Sequence, residues 1–323
     1  MGSAQLQSGT VPKRGQSPGY AVSGRYPDWA TEGKDWPNRE ASSFVRAGGY
    51  EWHVQLMGPQ GTKAPVCLLI HGTGAATHSW RDVMPLLAKQ YRIVAMDLPG
   101  HGFTKTGSGG RPTLEGMATS VAALLDQLEI APDVIVGHSA GVAIAAQLML
   151  DRKWQIPLVG FTPALMPFPG LAAKIFPQLA KMLFTNPFVA IIFARMAQAP
   201  GQTAKFLARA TGSHIDAAGA KYYTCLFSKS GHCDGAIRMM ANWRLEALGA
   251  RLGNLGGPVL LVSAAKDAAI PKPAVVQAAT LIPGCETQEM AALGHLAHEE
   301  DPEQAMRIVV EFAKVKTNAN VET

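Results

Sequence analysis

Three short apolar runs, at residues 66–70, 91–96 and 134–136, punctuate the first half of the chain. Each is nearly continuous in aliphatic residues, the pattern of strands buried on both faces. Between them the apolar positions recur at helical spacing over residues 79–87 and 114–128, with Thr113 where an N-cap belongs. Upstream, Phe44-Val-Arg and Tyr50-Glu-Trp-His-Val-Gln-Leu-Met flank Ala47-Gly-Gly, which predicts a hairpin. A further strand is predicted at 158–161. The alternation then breaks: from Pro167 to about Leu245 the pattern is helical, with Leu171, Ile175, Phe176, Leu179, Met182 and Leu183 along one face. Sheet logic resumes with Pro258-Val-Leu-Leu-Val-Ser, a helix over 274–281, a short strand over 287–290 and an amphipathic helix over 302–314.

Buried strands alternating with helices predict an α/β fold with a mostly parallel sheet covered on both faces, interrupted by an inserted helical cap. The 323 residues suit one large α/β domain with an insertion, or two domains sharing a core. Residues 1–34, rich in Gly, Ser and Pro without periodicity, read as a mobile arm, and order is expected to begin near Ser43. The core then divides into 35–166 and 249–323, with the cap at 167–248. No segment repeats.

Composition narrows the function classes. The chain is 47% hydrophobic and 16% charged, enough for a sizeable core. No apolar run approaches the roughly 18–20 residues needed to span a bilayer, and the first residues lack the apolar stretch of a signal peptide, so a cytoplasmic location is expected. Cys67, Cys225, Cys233 and Cys285 are scattered without C-x-x-C spacing and read as reduced thiols, not as a zinc site or disulfide framework. The formal charge of +5 is uneven: nine Lys/Arg between Pro167 and Leu245, Lys174 and Lys181 among them, face only Asp216 and Asp234. Without dense basic clusters, this does not read as nucleic-acid binding. The excess, with the run Phe188-Val-Ala-Ile-Ile-Phe, suggests a lid that receives hydrophobic, anionic ligands or rests on an anionic membrane surface.

The chemistry concentrates at Val136-Gly-His-Ser-Ala-Gly-Val. This is a G-x-S-x-G elbow with Ser139 between Gly137 and Gly141, following a strand and opening a helix. A serine hydroxyl is a weak nucleophile and needs a base, a group to orient that base, and oxyanion donors. Asp267 follows the strand Val259-Leu-Leu-Val-Ser and sits at a strand's C-terminal edge, although a capping aspartate would also fit there. His295 follows the last predicted strand. His298 competes with it, but Gly294 suits a loop that presents His295. The backbone amide of Ala140 and that of Thr73, in His71-Gly-Thr-Gly-Ala-Ala, are the expected oxyanion donors. The lesser alternative for Thr73 is a plain turn residue, and His101 in Asp97-Leu-Pro-Gly-His-Gly reads as structural. The remaining histidines have no paired ligand spacing, and no metal or cofactor is expected.

Taken together, His71-Gly, Asp97-Leu-Pro-Gly-His-Gly, Gly137-His-Ser-Ala-Gly, Asp267 and Gly294-His295 resemble the α/β-hydrolase superfamily in the family's own order. The resemblance implies an eight-stranded sheet with a helical lid after the sixth strand. Ser139 argues against the dehalogenase and epoxide hydrolase branches, which use aspartate there. Asp35-Trp-Pro-Asn-Arg-Glu, Thr77-His-Ser-Trp-Arg, Pro163-Ala-Leu-Met-Pro-Phe, Thr211-Gly-Ser and Gly294-His-Leu-Ala-His-Glu-Glu resemble more narrowly the magnesium-chelatase accessory proteins of bacteriochlorophyll biosynthesis. That likeness runs from about Asp35 to Lys314 and includes the cap. The motifs lead to a serine hydrolase cleaving a carboxylic ester, hydrophobic or of tetrapyrrole type. The resemblance also implies a tetrapyrrole-binding accessory protein in contact with magnesium chelatase. Hydrolysis of a C–C bond would use the same triad.

Overall fold

The three apolar runs at 66–70, 91–96 and 134–136 become strands, and the run Phe188-Val-Ala-Ile-Ile-Phe becomes helix. The computed structural model of the chain describes residues 24–59, 64–106, 112–167 and 187–319. Its strands are β1 (Ser42–Ala47), β2 (Tyr50–Met57), β3 (Val66–Ile70), β4 (Arg92–Met96), β5 (Lys105–Thr106), β6 (Val134–His138), β7 (Leu158–Phe161), β8 (Val259–Ala264) and β9 (Glu286–Met290). Eight of them form a sheet in the order β1-β2-β4-β3-β6-β7-β8-β9, and the two-residue β5 pairs with β2. Only the pairs made by β1, β2 and β5 are antiparallel. From β4 to β9 the sheet is parallel. The expected eight-stranded, mostly parallel sheet is therefore present.

Strand periodicity builds the layers. Along β3, Val66, Leu68 and Ile70 face one apolar cluster, and Cys67 and Leu69 face the other. Helices α2 (Leu114–Gln127) and α3 (Ala140–Arg152) close the first side, and α1 (Val83–Leu87) and α11 (Pro302–Ala319) the second. Each fully buried Leu, Ile or Val contributes about 1.5–3 kcal/mol. Thr113 caps α2, its hydroxyl accepting from the Gly116 N–H at 3.1 Å. Between β7 and β8 lie α4 (Pro187–Ala197), α5 (Gln202–Thr211), α6 (Ala217–Phe227), α7 (Ser230–Ala241) and α8 (Glu246–Gly249). Helix α9 (Lys272–Thr280) separates β8 from β9, and the short α10 (Ala297–Glu300) precedes α11. The face Leu171–Leu183, with Lys174 and Lys181, lies outside the described residues.

Two expectations are corrected. The helix predicted over 79–87 is broken into a 3-10 turn, Thr77–Trp80, and α1. Pro85 lacks the N–H that would bond the Arg81 carbonyl, and the Asn38 amide takes that acceptor at 3.1 Å. The part of the expected arm that is described, residues 24–34, is not loose: residues 24–41 form a strap across the core and the helices between β7 and β8. Trp36 is 3% exposed and donates to the Thr77 hydroxyl at 3.0 Å, and Trp29 packs edge-on against Phe103. Arg25–Asp234, Glu32–Lys229 and Asp35–Lys221 tie the strap to α6, α7 and the residue before α7. Two tryptophans anchor a stretch that otherwise reads as loop.

Candidate active site

Ser139 follows β6 directly and is the residue before α3, with φ 52° and ψ −118°. A non-glycine residue held there costs about 1–3 kcal/mol, which the surroundings must over-determine. They do so through the backbone: Ser139 N–H donates to Phe161 O at 3.0 Å, and its carbonyl accepts from Val142 and Ala164 at 3.1 Å each. Gly141 is obligatory at this elbow, since a Cβ there would lie 2.2 Å from the Ile70 carbonyl oxygen. The turn projects the serine at the C-terminal edge of the parallel strands.

Asp267 and His295 arrive from the loops after β8 and β9. The His295 Nδ1–H donates to Asp267 Oδ2 at 2.8 Å, and the Asp267 side chain is 1% exposed. Its other oxygen accepts from the Ala269 and Ile270 amides at 2.7 and 2.8 Å. Capping a turn and orienting an imidazole are thus done by the two oxygens of one carboxylate. With Nδ1 committed as donor, Nε2 is left as the acceptor of a neutral ring. Ser139 and His295 share no hydrogen bond among the described residues; His138, next to Ser139 in the chain, has its ring centroid 4.9 Å from that of His295.

The groups holding His295 carried no sequence signal of their own. Its carbonyl accepts from His138 Nε2 at 3.0 Å and from the Thr162 hydroxyl at 2.9 Å. Burial pushes the His138 pKa well below that of a free imidazole, aided by neighbouring His298 and His295. The His295 N–H donates to Thr211 O at 2.8 Å, and the Ser213 hydroxyl accepts from Leu296 N–H at 2.8 Å. Thr211-Gly-Ser, quoted above only as part of a resemblance, is the C-terminal end of α5 resting on the histidine loop. Gly212 between them has φ 70°, and a Cβ there would lie 2.0 Å from Lys266 O.

The loop after β3 presses on the elbow, because a Cβ on Gly72 would lie 3.0 Å from that of Ser139. His71 fixes the loop, donating from Nδ1 to Gly72 O at 2.7 Å and accepting from Leu98 N–H at 2.9 Å. The Thr73 N–H makes no hydrogen bond among the described residues, and its hydroxyl meets Met239 Sδ of α7 at 3.5 Å. Ala140 N–H opens α3, where amides lack intrahelical partners. Thr73 and Ala140 therefore offer two unspent donors beside Ser139, a set suited to an oxyanion.

A buried polar layer supports the site. Asp97 accepts from Thr77 N–H, Phe103 N–H and His53 Nδ1 at 2.8–2.9 Å. Burial alone would raise its pKa, but His53 and these hydrogen bonds outweigh that and hold the carboxyl well below the usual range. His232 of α7 accepts from Gly102 N–H and donates to Gly74 O, latching α7 onto the loops after β3 and β4. His101 is wholly buried beside it and points at no reacting group. His298 is also wholly buried: its Nε2 meets the Ser79 hydroxyl at 2.9 Å, and burial pushes its pKa down to about 3. Glu299, next in the chain, accepts from Ser79 at 2.6 Å, Tyr223 at 2.7 Å and Arg81 at 3.2 Å. Burial lifts it to about 7, only partly offset by those donors. Arg81 also pairs with Asp216, and Tyr223 lies on α6, so this cluster joins the core to α6. All four cysteines are free thiols, and no metal-holding group of His, Cys, Asp or Glu occurs among the described residues.

Comparison with known proteins bears on what this geometry is for. The magnesium-chelatase 30 kDa subunit of Rhodobacter capsulatus is 40% identical over 266 residues, 82% of this chain and 92% of that protein. A 2-hydroxy-6-oxononadienedioate/2-hydroxy-6-oxononatrienedioate hydrolase of Dechloromonas aromatica is 25% identical across 84% of this chain and 94% of its own. The crystal structure of a haloalkane dehalogenase loop variant from Bradyrhizobium elkanii superposes with a TM-score of 0.69 at 20% identity, covering 87% of this chain and 98% of that one. That last likeness speaks for the fold alone. The model of the alpha/beta hydrolase family matches residues 67–307, from β3 into α11. The chain belongs to the alpha/beta hydrolase family, and within it groups with the magnesium-chelatase 30 kDa subunit.

Proposed function

We propose that the protein is a serine hydrolase that cleaves a carboxylic ester of a hydrophobic or tetrapyrrole-type substrate. The carrying observation is the Asp267–His295 pair, 2.8 Å long and almost dry, beside a serine on a strained elbow. In this reading His295 Nε2 takes the proton of Ser139 as its oxygen attacks the carbonyl. Asp267 holds the ring and stabilises the imidazolium, and the Thr73 and Ala140 amides receive the oxyanion. His295 returns the proton to the leaving alcohol, and water then releases the acyl group by the same route in reverse. In this reading the segment 167–248, whose described helices include α4 to α7, acts as a cap over this cleft, and the protein works in the cytoplasm.

Labelling with a fluorophosphonate tests the reading directly. Wild type should label and Ser139→Ala should not. Ser139→Ala and His295→Ala should each lower ester hydrolysis by several orders of magnitude, without adding when combined. Wild-type turnover in Ser139→Ala would refute the mechanism.

A second reading rests on the 40% identical chelatase subunit: a tetrapyrrole-binding accessory protein in contact with magnesium chelatase. It predicts porphyrin binding that survives Ser139→Ala in a protein inert to fluorophosphonate. The Dechloromonas relative favours a third, C–C bond hydrolysis, which turnover of a vinylogous diketone would distinguish from ester cleavage.

A further inference from the structure

The outer face of the cap has a surface that the proposed chemistry does not use. On α4, Ile192 and Met196 are one turn apart and 57% and 62% exposed, with Ile191 beside them at 39%. Phe206 of α5 stands next to this ridge, 43% exposed, and its ring meets Phe193 of α4 at 5.2 Å. Arg195 lies within the same turn as Met196, and Lys205 and Arg209 flank Phe206, all three exposed. No Asp or Glu occurs anywhere from residue 187 to 211. The two helices therefore present protruding apolar side chains among cations, with no acid in the same stretch to neutralise them.

We propose that the α4–α5 face docks on an anionic lipid surface, with Ile191, Ile192, Met196 and Phe206 entering the headgroup boundary and Arg195, Lys205 and Arg209 among the lipid phosphates. A protein partner would need a matching relief of pockets, whereas a bilayer accepts a ridge of any shape and supplies the missing negative charge. Lipid docking also has a use here. Helix α5 carries Phe206 outward and ends with Thr211 on the His295 amide, so the docked face and the candidate site share one helix. The docking does not depend on the hydrolase reading, since a protein inert to fluorophosphonate would still bind.

Cosedimentation of the full chain with extruded vesicles tests it, comparing phosphatidylglycerol mixed with phosphatidylcholine against pure phosphatidylcholine. Wild type should partition onto the anionic vesicles and be released by salt. Arg195→Gln/Lys205→Gln/Arg209→Gln should weaken binding on the order of a hundredfold, at about fivefold per cation. Ile192→Ser/Met196→Ser should weaken it by roughly tenfold or more, because each loses apolar surface to bury. Unchanged thermal melting of both variants excludes unfolding as the cause. Equal partition of wild type onto neutral and anionic vesicles, or no response to either set of substitutions, would overturn the proposal. So would a solution dimer that the serine variant dissolves, which would give the face to a second copy of the chain.

Discussion

Glu299 is a carboxylate with no exposed side-chain surface, and replacing it with glutamine should change how stability depends on pH. Burial raises its pKa from the ordinary 4.5 to about 7, and the hydrogen bonds from Ser79, Tyr223 and Arg81 only partly oppose this. Between those two values the folded chain keeps a proton that the unfolded chain has released. The contribution of this group is thus fully present below about pH 4.5 and lost as pH rises through 7. The displacement corresponds to roughly 3 kcal/mol across the window. Buried histidines act in the opposite sense: burial holds His298 near 3 and His232 near 4, so their share is lost as pH falls. Both proteins carry those histidines, and the difference between wild type and Glu299→Gln isolates the carboxyl. Urea unfolding followed by tryptophan fluorescence, repeated from about pH 4.5 to 8, measures it. Wild type should lose about 3 kcal/mol relative to the variant over that range. A flat difference would refute the reasoning, and would mean that the guanidinium and two hydroxyls stabilise an ionised Glu299 at every pH in the series.

Two more expectations follow from the same structure. Gly212→Ala places a Cβ 2.0 Å from a backbone oxygen at φ 70°, so the Asp267 and His295 loops must shift. The expected result is a stability loss of about 1–3 kcal/mol and a kcat for ester hydrolysis that falls while fluorophosphonate still reaches Ser139 slowly; unchanged kcat and melting would show that the brace is slack. Burial pushes Cys233 up to about 12, and Cys225 and Cys285 to about 11, so native protein at pH 8 should react slowly with a thiol-disulfide reagent and release its full thiol count only on unfolding. Rapid native-state reaction would contradict the packing around α6, α7 and β9.

The middle of the sheet was legible because β3, β4, β6, β7 and β8 are buried on both faces, and continuous aliphatic runs are hard to mistake when helices separate them. The order of Ser139, Asp267 and His295 was legible for a related reason: each follows a recognisable strand, so sequence position predicts the sheet edge. What escaped notice depends on distant partners. Thr211 and Ser213 show no pattern of their own, and their importance comes from where α5 ends against a loop more than eighty residues away. His298 reads only as a competitor of His295, and Glu299 draws no reading, because nothing local reveals that Ser79, Arg81 and Tyr223 wait for them in the interior. Residues 24–41 read as loop because loop composition is an average, and two tryptophans in such a stretch outweigh it.

The seat of α5 on the histidine loop has a consequence for anyone recombining this protein with its relatives. Caps inserted between two strands of a conserved sheet invite exchange, since both junctions are loops and the sheet closes without them. Here the graft boundary cannot be drawn at those loops alone. A donor cap lacking a carbonyl in the place of Thr211 O and a hydroxyl in the place of Ser213 would leave two buried amides, those of His295 and Leu296, without acceptors. A chimera of this kind could fold and still inherit His295 on an unsupported loop. The smallest transferable module is thus the cap together with the loop it braces, and new substrate ranges are better sought inside that module than by swapping across it.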